Sequence, residues 1–395
     1  MAKTPRPFTS WCVIPVAENV DSFLESVSID LLIRTIDFEA KFSDETTSRL
    51  GSSSLDPKEI ETEFKNYVRQ GILFARTALA MKGSPSSLPL YYAALHFAKA
   101  ELLLDIPDQI IGKKITHGIS YDPSMYRKLD EDFVKVHTDG VFSLLYKSRT
   151  GSDPPASNKI EIVEALASIP EVLWEMLRFK TAPPNYCRFM HAAVIDETHL
   201  WSIVATPDPS FIRPGTVSSD RFLEIFEEID QPKPSYFVGG LYKPGLQPWR
   251  DVLGVSVRNY SVAFRYFQTK DVTPSRTPRM ISLDELNETA VSIRGSLQGV
   301  AQDPQNSGED FSLTGFVNSD SDPMPSSIAR YAAFYYYSSL VRYRPSSLDP
   351  VDHPAESWLA DAVCDQGVMP LLRDSLKGIS RKTFLFQGED ALRSR

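Results

Sequence analysis

Cysteine is scarce in this chain of 395 residues. The three cysteines, Cys12, Cys187 and Cys364, lie far apart, and the sequence has neither a Cys-x-x-Cys nor a His-x-x-x-His pair. This scarcity excludes a disulfide framework and is typical of a protein from a reducing cytosol. Because structural zinc ligands occur at such short spacings, we predict no metal site. Nothing in the sequence indicates a cofactor.

Long apolar runs are also missing. No stretch of about eighteen apolar residues occurs, so no transmembrane helix is expected. The N-terminal residues have a short basic start but lack the apolar core of a signal peptide. We therefore predict a cytoplasmic protein with no membrane partner.

Positive charge is in deficit, since 42 lysines and arginines face 51 aspartates and glutamates for a net charge of -9. A generally basic surface is therefore absent, and a nucleic-acid partner would need a local basic groove. The sequence also lacks a Walker phosphate loop and a Gly-x-Ser-x-Gly elbow. The sequence therefore lacks one common signature of nucleotide-hydrolysing enzymes and one of ester-hydrolysing enzymes.

Helical periodicity is what the N-terminal half does contain. Asp56, Pro57 and Glu59 form the capping signature of a helix that ends at Gly83. A second helix is predicted from about Pro89 to Asp105, and the short break predicts antiparallel packing of the two. The predicted buried stripes are Ile60, Phe64, Val68, Ile72, Ala75 and Leu79 on the first helix, and Tyr91, Leu95, Ala98 and Leu102 on the second.

The C-terminal part has the same periodicity. "SSIARYAAFYYYSSLVRYRPSS" predicts a helix that Pro345 ends, and "HPAESWLADAVCDQGVMPLLRDSLKG" predicts two more short helices. Each helical flank has a wide apolar face and too few helices to cover it. We therefore expect residues 60–105 and 325–345 to pack against each other.

Between the flanks the period changes to two. Residues 133–146 predict a β-hairpin around Thr138-Asp139-Gly140, and residues from about 185 to 275 predict further strands. The predicted fold class is α+β, a mainly helical bundle with a β-rich middle. The expected divisions are an N-terminal segment at 1–55, the bundle at 56–180 and 322–380, and an antiparallel β-rich insert at 185–290.

The stretch "YYAALHFAKA" places polar groups in an apolar helix. Tyr92, His96 and Lys99 lie on one stripe, at i, i+4 and i+7. Such a stripe is either the edge of a core helix or the wall of a site. His117, in the turn "ITHGIS", is a further candidate for the same end of the bundle, although Gly118 also fits a purely structural turn.

Two other patterns admit both a functional and a structural reading. Arg330, Arg342 and Arg344 alternate with tyrosines, as in a groove that stacks bases and binds phosphates, or as in a core helix with arginines at its ends. The carboxylates of Asp130 to Asp132 could hold a divalent metal, or form a solvated turn.

These segments carry a family resemblance. "YYAALHFAKAELLLDIP", "THG" and "FVKVHTDGVF" together resemble the YaaC-like proteins of bacteria, and "YAAFYYYSSLVRYRPSS" followed by Trp358 and "VMPLLRDSL" is similar to the same family. The resemblance covers about 60–150 and 325–378, and it includes the Arg342-Tyr343 pair. After Tyr343 the sequence departs from the family. The resemblance implies no activity, because the family has none established.

A looser resemblance links the Tyr-rich paired helices and the His-Gly turn to HEPN-type helical domains, some of which are ribonucleases of toxin and antiphage systems. Those enzymes carry an arginine a short distance before a histidine. Here the spacing is too short for Arg188 and His191, and too long for Arg127 and His137 and for Arg344 and His353. If the fold is HEPN-like, that ribonuclease site has been lost or replaced.

Two functions follow as hypotheses. The first is a non-catalytic binding or regulatory subunit, with a protein partner or a second copy of the chain. The second is a nuclease or nucleotide-processing enzyme, with catalytic candidates His96, Lys99 and His117. Its ligand-binding candidates are Tyr92, Arg330, Arg342 and Arg344. A histidine beside a cation can act as acid–base catalyst and phosphate clamp.

Overall fold

The structure is a computed structural model. It describes residues 10–16, 29–43, 48–49, 55–124, 128–155, 157–169 and 324–388, and between 170 and 323 it describes strands and short segments. Seven α-helices lie in these residues: α1 Ile29–Phe42, α2 Pro57–Ala80, α3 Ser87–Asp105, α4 Val141–Thr150, α5 Ile162–Ala167, α6 Ser326–Tyr343 and α7 Pro354–Ser380. None of these helices has the length and apolar character that crossing a bilayer requires.

Helix α2 begins as its sequence predicts. The side chain of Asp56 accepts a hydrogen bond from the backbone N–H of Lys58 at 3.0 Å, and Pro57 occupies the first turn. The predicted stripe is buried at four positions, Ile60, Phe64, Val68 and Ala75. The prediction fails at the other two positions, since Ile72 is only half-buried and Leu79 is 41% exposed.

Helices α2 and α3 pack antiparallel, as predicted. Residues late in α2 meet residues early in α3, and residues earlier in α2 meet residues later in α3. Phe74 stacks on Tyr92, with ring centroids 5.2 Å apart, and Tyr67 lies beside His96 at 5.8 Å. A side chain at Gly71 would collide with the Phe97 ring, 2.7 Å from the position of a Cβ, so glycine permits the close approach.

The predicted hairpin at 133–146 is wrong. Three short antiparallel strands do form a sheet, β2 Ile119–Ser120, β3 Phe133–Val136 and β4 Lys159–Glu161, with β3 in the centre. However, "VFSLLY" is the start of helix α4 rather than a second hairpin strand. Its first N–H groups bond to carbonyls about 25 residues earlier in the chain, Val141 to Thr116 and Phe142 to His117. Such a start is invisible to local sequence patterns.

The C-terminal helices confirm one prediction and correct another. Helix α6 forms as predicted and ends at Tyr343, before Pro345. The two short helices expected after it are one helix, α7, which continues through Pro370. Proline normally interrupts a helix because it removes a hydrogen bond and crowds the preceding turn. Here the residues on both sides of Pro370 pack into one core, including Val363 and Leu372, and this keeps the two halves in line.

The two helical flanks pack against each other as expected. The ring of Tyr91 on α3 meets Tyr331 and Tyr335 on α6, with centroids 5.8 and 5.1 Å away. Helix α1, which lies in the predicted N-terminal segment, and helix α3 both contact α7. The core of these helices is rich in tyrosine, phenylalanine and alanine.

The remaining strands lie at the termini and in the middle. β1 Ser10–Val16 pairs in parallel with β12 Lys382–Gly388. The middle strands are β5 Tyr186–Ile195, β6 His199–Thr206, β7 Phe226–Ile229, β8 Arg265–Thr269, β9 Thr273–Pro274, β10 Ala301–Gln302 and β11 Phe311–Val317. They pair antiparallel in the order β10-β11-β5-β6-β8-β7, and β9 pairs with β6. Much of 185–290 lies outside the described residues, so the β-rich middle stays a prediction.

The chain divides into two compact units. One comprises Met1–Leu166, Glu171–Thr181 and Ser327–Arg395, and the other comprises Ala167–Pro170 and Ala182–Ser326. All the side chains discussed below belong to the first unit.

Candidate functional site

Helix α3 presents its polar stripe to one edge of helix α2. The His96 ring stacks on Phe74, with ring centroids 5.5 Å apart and an interplanar angle of 9°. The Tyr67 ring also contacts it, with centroids 5.8 Å apart. Tyr92 stacks on the same Phe74 ring. Tyr92, His96 and Lys99 are each half-buried, so the stripe is an edge of the core that solvent partly reaches.

His96 is held in a mostly apolar environment. Burial, with a smaller contribution from the charge of Lys99, lowers its pKa to about 4. The imidazole is therefore neutral at pH 7, and its buried Nδ1 has no hydrogen-bond partner among the described residues. A ring held between aromatic neighbours packs like an aromatic residue and is poorly placed for proton transfer to a substrate.

Lys99 is the cation of the stripe. Its Nζ lies 5.2 Å from the centroid of the Tyr67 ring, a cation–π geometry. Burial lowers the pKa of the Lys99 ammonium, while the charge of Glu63 acts in the opposite direction. No ion pair joins Lys99 to a carboxylate within the described part of the chain. The charge is thus partly desolvated and balanced only at a distance.

His117 is positioned by two glycines that touch. Gly118 has a φ of +83°, and a Cβ at Gly140 would lie 2.3 Å from the Gly118 Cα, so neither turn tolerates a side chain. The carbonyl of His117 accepts the Phe142 N–H at 3.1 Å, which fixes the turn against helix α4. The imidazole is exposed and meets the ring of Tyr91, with centroids 5.7 Å apart.

Two cations act on this imidazole. Although the residue as a whole is exposed, partial desolvation by its neighbours lowers the pKa of His117, and the positive charges of Lys99 on α3 and Arg342 on α6 lower it further. Arg342 is exposed, donates from Nε to the Ser338 carbonyl at 2.9 Å, and places its guanidinium 4.9 Å from the Tyr343 ring centroid. Lys99, His117 and Arg342 are therefore close enough for their charges to interact.

The other two candidate arginines lie elsewhere. Arg330 is 4% exposed and forms an ion pair with Asp374, so it is a structural residue of the core. Arg344 lines a separate pocket with Tyr121. The tract "RYAAFYYYSSLVRYR" is therefore a core helix whose arginines have three different environments.

The carboxylate run before strand β3 also has a structural role. Asp132 is 2% exposed and accepts hydrogen bonds from Tyr121, Tyr336 and the backbone N–H of Phe133. No group of three or more potential metal ligands occurs in the part of the chain that the structure describes.

Sequence reasoning missed the α2 side of the site. Tyr67 and Phe74 form the aromatic floor under Tyr92, His96 and Lys99. Their spacing of seven residues was the available signal, because it places both rings on one helix face, next to the buried stripe.

A second charged cluster lies at the C-terminal end of α3, and sequence reasoning missed it too. Glu101 is 1% exposed and binds Arg149 through both carboxylate oxygens, at 2.6 and 3.3 Å. Asp105 binds Arg49 at 2.6 Å and also pairs with Arg381. These residues come from distant parts of the chain, and only folding brings them together.

The segments that carry the sequence resemblance are the ones that build this region. The model of the YaaC-like Protein family matches residues 34–353, which is more than half of the chain. The chain belongs to the YaaC-like family. The match extends through the middle of the chain, where sequence reasoning identified no family motif, and it stops before Trp358 and the "VMPLLRDSL" segment.

Other comparisons add no relative. No curated protein matches the chain, and no solved structure matches it. The resemblance to HEPN-type domains therefore has no support from these comparisons, in agreement with the missing Arg–His spacing.

Proposed function

We propose that this YaaC-like protein acts by binding, as a non-catalytic regulatory subunit, and that the ligand of its α3–α6 end is an anion. One arrangement carries the proposal: Lys99 on α3 and Arg342 on α6 both lie close enough to the exposed His117 for their positive charges to act on it. Neither cation has an ion pair within the residues that the structure describes. Unbalanced positive charge at one point of an acidic protein favours an anionic ligand.

The arginines of the core supply the contrast that supports this proposal. Arg49, Arg149, Arg330 and Arg381 each pair with a carboxylate. These buried and half-buried guanidinium groups are therefore neutralised by the protein itself, whereas Lys99 and Arg342 are not paired within the described residues. The Lys99–His117–Arg342 cluster is the place where a carboxylate or phosphate from a ligand would supply the missing charge. The nearby half-buried ring of Tyr92 would favour a ligand that also has a flat, unsaturated group.

A non-catalytic role agrees with the environment of His96. This histidine is enclosed by Phe74 and Tyr67, and its lowered pKa keeps it neutral. One observation favours the alternative, a nuclease or nucleotide-processing enzyme. His117 is exposed beside two cations, which is an arrangement that could exchange protons with a phosphate ester.

Calorimetric titration with pyrophosphate, AMP and a short single-stranded RNA tests both functions. We expect at least one of these probes to bind, and we expect Lys99→Met and Arg342→Met each to weaken binding about tenfold or more, as the loss of one charge-assisted contact does. Lys82→Met, at an exposed lysine outside the cluster, is the matched control. Equal affinity in all variants would contradict the proposed site.

Cleavage of the RNA distinguishes the alternative. Turnover that disappears in His117→Ala, while binding is retained, would replace the binding function with the enzymatic one. The absence of turnover in the wild-type protein supports the binding function.

We also propose a domain organisation, a cellular location and a kind of partner. The N-terminal segment at 1–55, the bundle at 56–180 and 322–380 and the antiparallel β-rich insert at 185–290 agree with a first unit that joins both flanks of the chain. A cytoplasmic location is favoured by the low cysteine content, and a bacterial setting is what the resemblance to the YaaC-like proteins implies. A protein partner or a second copy of the chain would fit a regulatory role.

A further inference from the structure

Helix α3 is accessible to solvent along one stripe only. Within residues 89–104 every residue is buried except Tyr92, His96 and Lys99. A helix that is buried on its other sides lies in the middle of a bundle, and solvent reaches it only through a gap between the surrounding elements. The stripe is therefore the floor of a recess, not part of a convex surface.

Helix α6 is accessible to solvent at one point along most of its length. Within residues 328–340 only Tyr335 is not buried. The neighbouring tyrosines Tyr331, Tyr336 and Tyr337 are each 4% exposed or less. Local sequence patterns do not single out Tyr335, because it belongs to a run of three tyrosines. The structure makes it the one tyrosine of this central stretch that a ligand can reach.

The buried ring of Tyr91 joins the accessible points of the two helices. Its centroid lies 5.3 Å from that of Tyr92 on α3 and 5.1 Å from that of Tyr335 on α6. The ring of His117 meets it at 5.7 Å. Any two of these three accessible rings are therefore at most about twice such a distance apart. Tyr91 itself is 2% exposed, so it supports the other rings and does not contact a ligand.

Each helix also carries a cation at the same spacing from its accessible tyrosine. On α3, Lys99 follows Tyr92 by seven residues, and it is half-buried. On α6, Arg342 follows Tyr335 by seven residues, and it is exposed. Seven residues are close to two turns, about 10.5 Å along the axis, so ring and cation lie on one face of each helix. Both helices thus present an aromatic ring and, two turns further on, a positive charge.

This combination favours a phosphate ester that also has a planar base. A phosphate monoester carries a charge of about −1.5 to −2 at pH 7 and so matches two cations better than a singly charged carboxylate does. Aromatic side chains stack on nucleobases, because every base has a π face. The inference rests on the proposed anion site and names its ligand. We propose that this recess binds a mononucleotide, with its base against Tyr92 and Tyr335. Its phosphate binds to Lys99 and Arg342.

Calorimetric titration with AMP and with ribose 5-phosphate tests the contact with the base, because the base is what distinguishes the two ligands. We expect AMP to bind about tenfold or more tightly, as one base–aromatic contact does. Equal affinities would overturn the nucleotide inference, while pyrophosphate binding would still support the anion site. If pyrophosphate, AMP and ribose 5-phosphate all fail to bind, the proposed function fails and the inference fails with it.

Variants at Tyr335 make the result specific. The preference for AMP over ribose 5-phosphate, as a ratio of affinities, reports the base contact alone. We expect this ratio to fall several-fold in Tyr335→Leu, whereas Tyr335→Phe should retain most of it, because stacking needs the ring and not the hydroxyl.

Tyr92→Leu gives the same test from the side of α3, and thermal unfolding shows that each variant is folded. The matched control is Phe38→Leu, at a phenylalanine of α1 that is 57% exposed and contacts Phe42. It should keep the ratio of the wild type. An unchanged ratio in a folded Tyr335→Leu or Tyr92→Leu protein would overturn the inference.

Discussion

Helix α3 carries two charged regions that differ in how their charges are balanced. At its C-terminal end Glu101 and Asp105 bind the arginines of three other segments, Arg149, Arg49 and Arg381. Two residues before Glu101, Lys99 has only the Tyr67 ring and the distant Glu63. The same helix therefore contains a region in which every charge has a partner and a region in which the cation has none among the described residues.

The difference separates a structural role from a binding role. A buried charge that is paired and hydrogen-bonded holds segments together, and removing one partner is costly because it strands the other. A half-buried charge without a partner contributes little to stability but remains available to a ligand. Substitutions in the two regions should therefore have opposite signatures in stability and binding measurements.

The largest expected effect is at Glu101. Glu101→Gln leaves the 17%-exposed guanidinium of Arg149 without its carboxylate, and we expect a loss of about 3–5 kcal/mol in the free energy of unfolding. Urea denaturation measures this loss. The control is Glu61→Gln in the half-exposed Glu61–Lys65 pair, where we expect less than about 1 kcal/mol. Similar losses in both variants would remove the distinction between the regions.

Gly378→Ala tests how tightly the same charged cluster is packed. A Cβ at Gly378 would lie 2.1 Å from an Oε of Glu101, so the carboxylate must move away from Arg149. Alanine normally favours a helix over glycine by about 1 kcal/mol. We expect the steric conflict to prevail, with a net loss of about 1–3 kcal/mol in urea denaturation. A more stable variant would show that the cluster adapts at no cost.

In the unpaired region, His96 should make stability depend on pH. Its pKa is about 4 in the folded protein and 6.5 in the unfolded chain, so the unfolded chain binds more protons between these values. The free energy of unfolding should therefore fall as the pH decreases from about 6.5 to about 4. In His96→Phe the free energy of unfolding should decrease less between pH 7 and pH 4.5 than it does in the wild type. Urea denaturation at both pH values measures this difference. His117, whose pKa is also lowered, is the same in both proteins and does not affect the comparison.

The smallest expected effect is at Lys99. Lys99→Met removes the cost of desolvating the ammonium and also the contact with the Tyr67 ring, so the two changes offset each other. We expect the free energy of unfolding to change by less than about 1 kcal/mol, while anion binding is weakened about tenfold or more. A destabilisation as large as that of Glu101→Gln would show that Lys99 has a structural partner after all.

Local sequence patterns predicted the helices that have local signals. Asp56 and Pro57 begin α2, and the tyrosine-rich segment forms α6 and ends before Pro345. Helix α4 was misread as a strand because "VFSLLY" is short and apolar, and its first N–H groups bond to distant carbonyls. Helix α7 was divided in two because Pro370 is a strong local signal that packing overrides.

The candidate site was predictable only in part. The spacing of Tyr92, His96 and Lys99 follows from the sequence, and so does the need for glycine at 118, where φ is positive. The sequence could not show that Arg342 would join Lys99 near His117 while Arg330 would be buried against Asp374. The three arginines belong to similar aromatic contexts, and their different environments depend on neighbours far away in the chain.

By itself, the sequence determined the family, the main helices and the polar stripe on α3, because caps, turns and helical periodicity act over a few residues. Tertiary structure decided which charges would be paired. Glu101 meets Arg149 and Arg381 only when distant segments fold around α3, whereas Glu63 of α2 acts on Lys99 through its charge but forms no ion pair with it. Charge balance depends on distances between groups that are far apart in the chain, and only folding fixes those distances.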